Sequence, residues 1–124
     1  MTLRTSSVRS FFIGNEVVAL NITGYCKEGV LTLNFSGELD QHTAREAAAA
    51  LLERMDAFLP RKCILNLKEL SFMDSSGIAL ILCAERKMKE LEGSLCIRQI
   101  SAQPLRVLKA AGLTGFIDAP DRTE

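Results

Sequence analysis

Apolar and polar positions alternate in some stretches of this chain and recur at helical spacing in others. The switches between the two periods divide it into elements. Residues 16–22 are rich in β-branched side chains and read as a first strand, punctuated by Gly24. In residues 30–35, Leu31, Leu33 and Phe35 alternate with Val30, Thr32 and Asn34, the period of a half-buried strand. Lys27-Glu28-Gly29 between them suits a hairpin connection, and Gly37 is expected to break the second strand. The period then changes. Thr43-Ala44-Arg45-Glu46 has the spacing of a capping box, and Ala44, Ala48, Leu51 or Leu52, Met55 and Phe58 fall on one helical face until Pro60 stops it.

Cys63-Ile64-Leu65-Asn66-Leu67 is a short, nearly uniform apolar run, as expected for a central strand covered on both faces. A helix between two such strands implies a right-handed βαβ crossover. After a turn over residues 68–74, a second helix is expected at 76–92, closed by Gly93. Gly77, Ile81, Ala84, Met88 and Leu91 form its seam against the sheet. Residues 94–100 alternate as another strand. Ser101 is placed to cap a third helix with Pro104 in its first turn and Leu105, Leu108 and Ala111 on one face. Gly112 ends it, and Phe116-Ile117 is a candidate short last strand. This order predicts the α/β class, with a mixed sheet of about four to five strands packed against helices. Residues 1–15 read as an arm, 16–119 as the domain and 120–124 as a tail.

A chain of 124 residues has the size of one domain and needs no disulfide or metal staple to hold a core. Hydrophobic residues make up 48% and charged residues 24%, a globular balance that excludes wholesale disorder. Lys+Arg and Asp+Glu both number 15, so the basic excess of a phosphate-neutralising nucleic-acid binder is missing. With no Trp and a single Tyr there is little for a base-stacking platform, and no direct nucleic-acid contact is expected. Cys26, Cys63, Cys83 and Cys96 lie in apolar runs without a C-x-x-C, and His42 is the only histidine. No zinc framework follows, no cofactor is expected, and the cysteines read as reduced in a cytoplasmic protein. The longest uncharged apolar run, residues 78–84, falls far short of the ~20 residues that span a bilayer. Residues 1–14 lack the apolar core and cleavage site of a secretory signal.

Ser75 and Ser76 stand at a strand-turn-helix corner, where a nucleophilic serine is often found. Met73-Asp74-Ser75-Ser76-Gly77 is not the G-x-S-x-G elbow, however, and nothing in the sequence places a histidine or lysine beside it as base. Neither standard glycine-rich phosphate loop occurs, so the chain does not read as an enzyme. Glu38, Asp40 and Asp74 are accounted for as acids at helix starts, where negative charge is favourable, and no metal site is assigned. The second helix is apolar all round over residues 78–84. Ala79, Leu80 and Cys83 therefore lie either under neighbouring elements or at an interface.

Two segments carry a more specific signal. Gly37-Glu38-Leu39-Asp40-Gln41-His42-Thr43-Ala44 leaves the second strand and opens the first helix. Asn66-Leu67-Lys68-Glu69-Leu70-Ser71-Phe72-Met73-Asp74-Ser75-Ser76-Gly77 leaves the central strand and opens the second. Together they resemble the landmark segments of STAS domains of the anti-sigma-factor antagonist (anti-anti-sigma factor) family, over residues 25–117. The resemblance implies a single STAS domain without catalytic activity in a bacterial partner-switching pathway. Unphosphorylated, such a domain binds an anti-sigma factor with serine kinase activity and releases the sigma factor. It implies phosphorylation of Ser75, the serine directly after the aspartate, with loss of binding and reset by a PP2C-type phosphatase. Asp40 and Asp74 flank that serine in the implied contact surface, which also takes in His42, Thr43, Ser76, Gly77 and Leu80. Ser75 can equally be a simple N-cap. The alternative role is a STAS scaffold subunit of a larger regulatory or transport assembly. Where the family commonly carries a further C-terminal helix, this chain has an N-terminal extension. Its Phe11, Phe12 and Ile13 are expected to pack onto the domain or onto a second copy, as a homodimer.

Overall fold

The computed structural model describes residues 20–117 in full and, before them, the backbone of three short strands, β1 (Ser6–Val8), β2 (Phe11–Ile13) and β3 (Glu16–Val18). β4 (Leu20–Lys27) and β5 (Val30–Leu39) form an antiparallel hairpin, paired from Lys27↔Val30 to Leu20↔Gly37. Its loop is Glu28 and Gly29, with φ of 55° and 81°. Positive φ at both positions matches the turn to the strands' own twist. β6 (Lys62–Met73) joins β5 in parallel after helix α1 (Ala44–Phe58), and β7 (Ser94–Ile100) joins β6 in parallel after α2 (Ser75–Glu90). The sheet order is β1-β4-β5-β6-β7, while β2 and β3 pair with each other. This is the mixed α/β sheet that the periodicity predicts.

One face of the sheet is the core. Ile22, Leu31, Leu33, Phe35, Cys63, Leu65 and Ile97 are all buried, and α1 and α2 share the cluster through Leu51, Met55, Ile81 and Met88. Each such side chain contributes about 1.5–3 kcal/mol by leaving water. The buried stripe of α1 is Ala47, Leu51 and Met55. Ala44 and Ala48 are only half-buried because they turn toward α2, and Phe58 at the helix end is exposed. On β6, Ile64 and Asn66 are half-buried while Cys63, Leu65 and Leu67 are buried, so this strand is fully covered on one face only.

Both strand glycines depart from the expected role of terminators. Gly24 sits inside β4, where a Cβ would collide with Thr32 O and lie 2.6 Å from Leu33 Cδ2; it marks a close approach. Gly37 lies within β5 at φ 108°, between two register shifts against β6, so it bends the strand and lets it continue to Leu39. β6 likewise runs through the expected turn as far as Met73. The α2 seam is Gly77, Ile81, Ala84 and Met88 as expected, with Leu80 added and Leu91 half-buried at the C-cap. In α3 (Ala102–Ala110), Pro104 and Leu108 are buried, whereas Leu105 is half-buried and Ala111 exposed; Gly112 follows at φ 75°. Thr114–Phe116 is a 3-10 turn, and Ile117 makes a single parallel bridge to Ile97 in place of a last strand. Among the described residues no helix is long and apolar enough to cross a membrane. The side chains of Phe11, Phe12 and Ile13 and the tail lie outside the described residues.

Candidate functional site

Because β5 and β6 are parallel neighbours, both run out at the same end of the sheet, and their last pair is Leu39↔Met73. The two landmark segments therefore turn into their helices side by side, tied by Asp74 N–H donating to Leu39 O at 3.3 Å. The open ends of parallel strands are where α/β folds place their sites.

At the first corner Asp40 makes its own turn. Its Oδ1 accepts from His42 N–H at 2.8 Å and from Thr43 N–H at 3.3 Å, and its carbonyl accepts from Ala44 N–H at 2.8 Å. Thr43 is the residue before α1, yet its side chain does not cap the helix. Thr43 Oγ1 donates to Glu38 O at 3.0 Å and accepts from Asp40 N–H at 3.1 Å, with no part of the residue exposed. The expected capping box is thus not formed. The aspartate upstream holds the turn, and the threonine hydroxyl is committed to buried backbone.

At the second corner Asp74 is extended, at φ −116° and ψ −165°, and its Oδ1 accepts from Ser76 N–H at 2.8 Å. Asp74 is the cap, not Ser75. Ser75 opens α2, is exposed, and its hydroxyl makes no hydrogen bond among the described residues. Gly77 lets the first turn of α2 settle on the strand ends: a Cβ there would collide with Met73 Cγ and lie 3.2 Å from Leu39 Cδ2.

Of the residues expected at the contact surface, Asp40, Asp74 and Ser76 are half-buried, and His42 and Ser75 are exposed. Thr43, Gly77 and Leu80 are buried; Thr43 and Gly77 shape the site from beneath, and Leu80 also lines the groove between α1 and α2. Glu38, Asp40 and Asp74 do not converge: among the described residues no group of three His, Cys, Asp or Glu side chains gathers to hold a metal ion.

The first turn of α2 is a ridge between two open grooves. One, of about 490 Å³, is lined by Phe72, Met73, Asp74, Ser75, Ile78, Gln103, Val107, Ala110 and Ala111. The other, of about 390 Å³, runs between α1 and α2 and is lined by Gln41, Ala44, Arg45, Ala48, Ser76, Ala79, Leu80 and Cys83. Ser75 and Ser76 thus line different grooves. The apolar ring of residues 78–84 divides in a similar way: Ile81 and Ala84 lie in the core, Ala79 and Cys83 line the second groove, and Leu80 belongs to both. The sequence reading missed the α3 side of the first groove, since nothing local places Gln103 or Val107 next to Ser75. Phe72, within the second landmark segment, is 38% exposed.

Two aspartate-held helix starts, the exposed hydroxyl of Ser75 and the two open grooves beside it make up the candidate site of this small α/β domain. The chain belongs to the STAS domain family, whose model matches residues 21–124. It is 33% identical over 85 residues to an anti-sigma F factor antagonist of Paenibacillus polymyxa, covering 68% of this chain and 73% of that one. It is 31% identical over 108 residues to an anti-sigma-B factor antagonist of Bacillus subtilis (strain 168), covering 85% and 94%. The fold matches the anti-sigma factor antagonist SpoIIAA in its unphosphorylated form with a TM-score of 0.72 at 26% identity, covering 83% of this chain and 89% of that one. It matches phosphorylated SpoIIAA of Bacillus with a TM-score of 0.65 at 26% identity, covering 83% and 92%. The family and fold read from the two landmark segments are borne out.

Proposed function

We propose that this protein is an anti-sigma-factor antagonist. Unphosphorylated, it binds an anti-sigma factor and releases the sigma factor which that protein holds; phosphorylation of Ser75 ends the binding. The observation that carries this reading is Ser75 itself, an exposed hydroxyl left unengaged because Asp74 caps the helix. Relatives named as antagonists, and the likeness to SpoIIAA in both forms, support it.

In the transfer step the anti-sigma factor acts as a serine kinase with ATP. Ser75 Oγ bonds to the γ-phosphorus, the bond from that phosphorus to the β–γ bridging oxygen breaks, and the hydroxyl proton passes to a base on the kinase. ADP leaves. A PP2C-type phosphatase restores the hydroxyl by hydrolysis. The antagonist itself works by binding, in the cytoplasm.

Phosphorylation adds about −1.5 to −2 charges beside Asp74. The positive end of the α2 dipole faces that charge, so the fold tolerates it. A partner surface docked over a neutral hydroxyl does not. Each 1.4 kcal/mol of repulsion or desolvation lowers affinity about tenfold.

The test is to incubate the protein with a candidate kinase-type anti-sigma factor and ATP, map the phosphate by mass spectrometry, and measure affinity before and after. One phosphate on Ser75 and a loss of about hundredfold or more are expected. A phosphate on Ser76, or equal affinity of the two forms, overturns the proposal.

A further inference from the structure

We infer that Gln103 is a positioning residue for Ser75: its side-chain amide replaces a missing strand beside Met73 and so fixes the backbone from which the serine is presented. The inference rests on the reading of Ser75 as the phosphoacceptor.

β7 accompanies β6 only as far as Leu67↔Ile100, after which the chain turns into α3. β6 runs on to Met73 with β5 alone beside it, down to Leu39↔Met73. In a parallel ladder the N–H and C=O of one residue point to the same side. The bond to β5 at this level comes from the next residue, Asp74 N–H to Leu39 O, so both polar groups of Met73 face the space that β7 has left. Met73 is 0% exposed, so water is no substitute, and a buried backbone group without a partner is destabilising.

Gln103, in the first turn of α3, supplies both partners. Its Oε1 accepts from Met73 N–H at 2.8 Å, and its Nε2 donates to Met73 O at 3.0 Å. A carboxamide carries the same donor and acceptor as a peptide group. Which atom faces which is forced, because a backbone N–H only donates and a carbonyl only accepts. The neighbouring corner is stitched in the same way. Ser101 N–H donates to Leu67 O at 3.4 Å, and Ser101 Oγ donates to Leu70 O. The hydroxyl expected to cap α3 is thus spent on the strand, and Gln103 is the last stitch before the site.

From that fixed point the chain has only Asp74 to cross before Ser75, and Asp74 is held by Leu39 O and by its own cap on Ser76. Gln103 does not bond to the serine hydroxyl. It acts through Met73, by setting the direction in which α2 begins. In-line attack of Ser75 Oγ on the γ-phosphorus requires that direction, and a misplacement of about 1 Å can cost on the order of a hundredfold in rate.

Two variants of the full chain test this. Gln103→Ala removes both hydrogen bonds. Gln103→Glu keeps the shape and the acceptor but sets a carboxylate oxygen against Met73 O. In each, amide exchange at Met73 should speed up while circular dichroism stays that of the parent. With the kinase-type anti-sigma factor and Mg·ATP, kcat/KM for phosphorylation of Ser75 should fall by about tenfold. The acidic variant adds a readout that packing alone does not move. A protonated carboxyl can donate to Met73 O, so the introduced group should titrate above the ordinary glutamate value of about 4.3 when followed by NMR. Parental exchange and parental phosphorylation rates in both variants overturn the inference, as does an introduced carboxyl that titrates at or below the ordinary value. A parent that is never phosphorylated on Ser75 overturns the underlying reading instead, and the two failures are told apart by that control.

Discussion

Two corners stand side by side at one end of the sheet, built from the same parts: an aspartate, a hydroxyl residue and the start of a helix. At the β5–α1 corner Asp40 Oδ1 takes two backbone N–H groups and the hydroxyl of Thr43 is buried between Glu38 O and Asp40 N–H. At the β6–α2 corner Asp74 Oδ1 takes Ser76 N–H, and the hydroxyl of Ser75 makes no hydrogen bond among the described residues. The difference is one of position relative to the aspartate. Thr43 lies three residues beyond Asp40, where the turn has already folded back over the strand end. Ser75 lies directly after Asp74, on the outside of the first helical turn. The same functional group is structural at one corner and available at the other.

The largest effect expected from breaking this contrast is on binding. Ser75→Asp places a permanent charge beside Asp74 and should lower affinity for the anti-sigma factor by about hundredfold, two steps of 1.4 kcal/mol. Its fold should survive, since an acid in the first turn of a helix is favourable by about 0.3–1 kcal/mol. Ser75→Ala should bind like the parent and change stability by no more than about 0.5 kcal/mol, because the cap belongs to Asp74. Titration calorimetry and thermal melts of the three proteins decide it. Parental affinity for Ser75→Asp would mean that this hydroxyl is no more exposed to the partner than Thr43.

Thr43→Val gives the opposite pattern. Removing its hydroxyl leaves Glu38 O and Asp40 N–H without the partner they have now, at a cost of about 2 kcal/mol in unfolding free energy. Once folded, the variant should bind with parental affinity, because Thr43 has no exposed surface. Denaturant unfolding together with the binding titration separates the two effects. A variant as stable as the parent would show that the buried network is not what holds this corner.

What could be read in advance follows the range of the forces involved. The alternation of Leu31, Leu33 and Phe35, the Glu28-Gly29 hairpin loop and the seam of Gly77, Ile81, Ala84 and Met88 depend on neighbours in sequence, and all form as expected. Gly24 and Gly37 mislead because a glycine in a strand can mean an end, a bulge or a close approach, and only the strand across the sheet decides which. Thr43-Ala44-Arg45-Glu46 matches a capping box, but Asp40 takes the Thr43 N–H that Glu46 would accept, and the Thr43 hydroxyl turns to Glu38 O. The Asp74-Ser75 corner is visible as a motif. Its α3 wall is not, since Gln103 and Met73 meet across 30 residues of sequence.

The smallest effect sharpens the comparison by asking whether burial alone silences a reactive group, with no hydrogen-bond partner involved. Cys63 is the second residue of the same strand that ends at Met73, and it is 0% exposed. Burial pushes its thiol up to about 12 from an ordinary value of 9.0, with Cys96 and Cys26 acting in the same direction. Between those two values the unfolded chain has lost a proton that the folded one keeps. Stability from this group is therefore full below pH 9.0 and is lost as pH rises toward 12. The loss attributable to Cys63 sets in near the unfolded thiol's own pKa and steepens above it toward the limit for one proton, about 1.4 kcal/mol per pH unit. Cys26 and Lys87, both also raised, tilt the alkaline side in the same sense, so the parent alone does not isolate the effect. The difference between the parent and Cys63→Ala does. That variant is less stable at neutral pH for want of packing, and its deficit should narrow as pH climbs from 8 to 10, about one unit to either side of an ordinary thiol. A deficit that stays constant across that window would mean that Cys63 ionises in the folded protein as readily as in the unfolded chain, and that burial on this strand does not by itself hold a group out of reach.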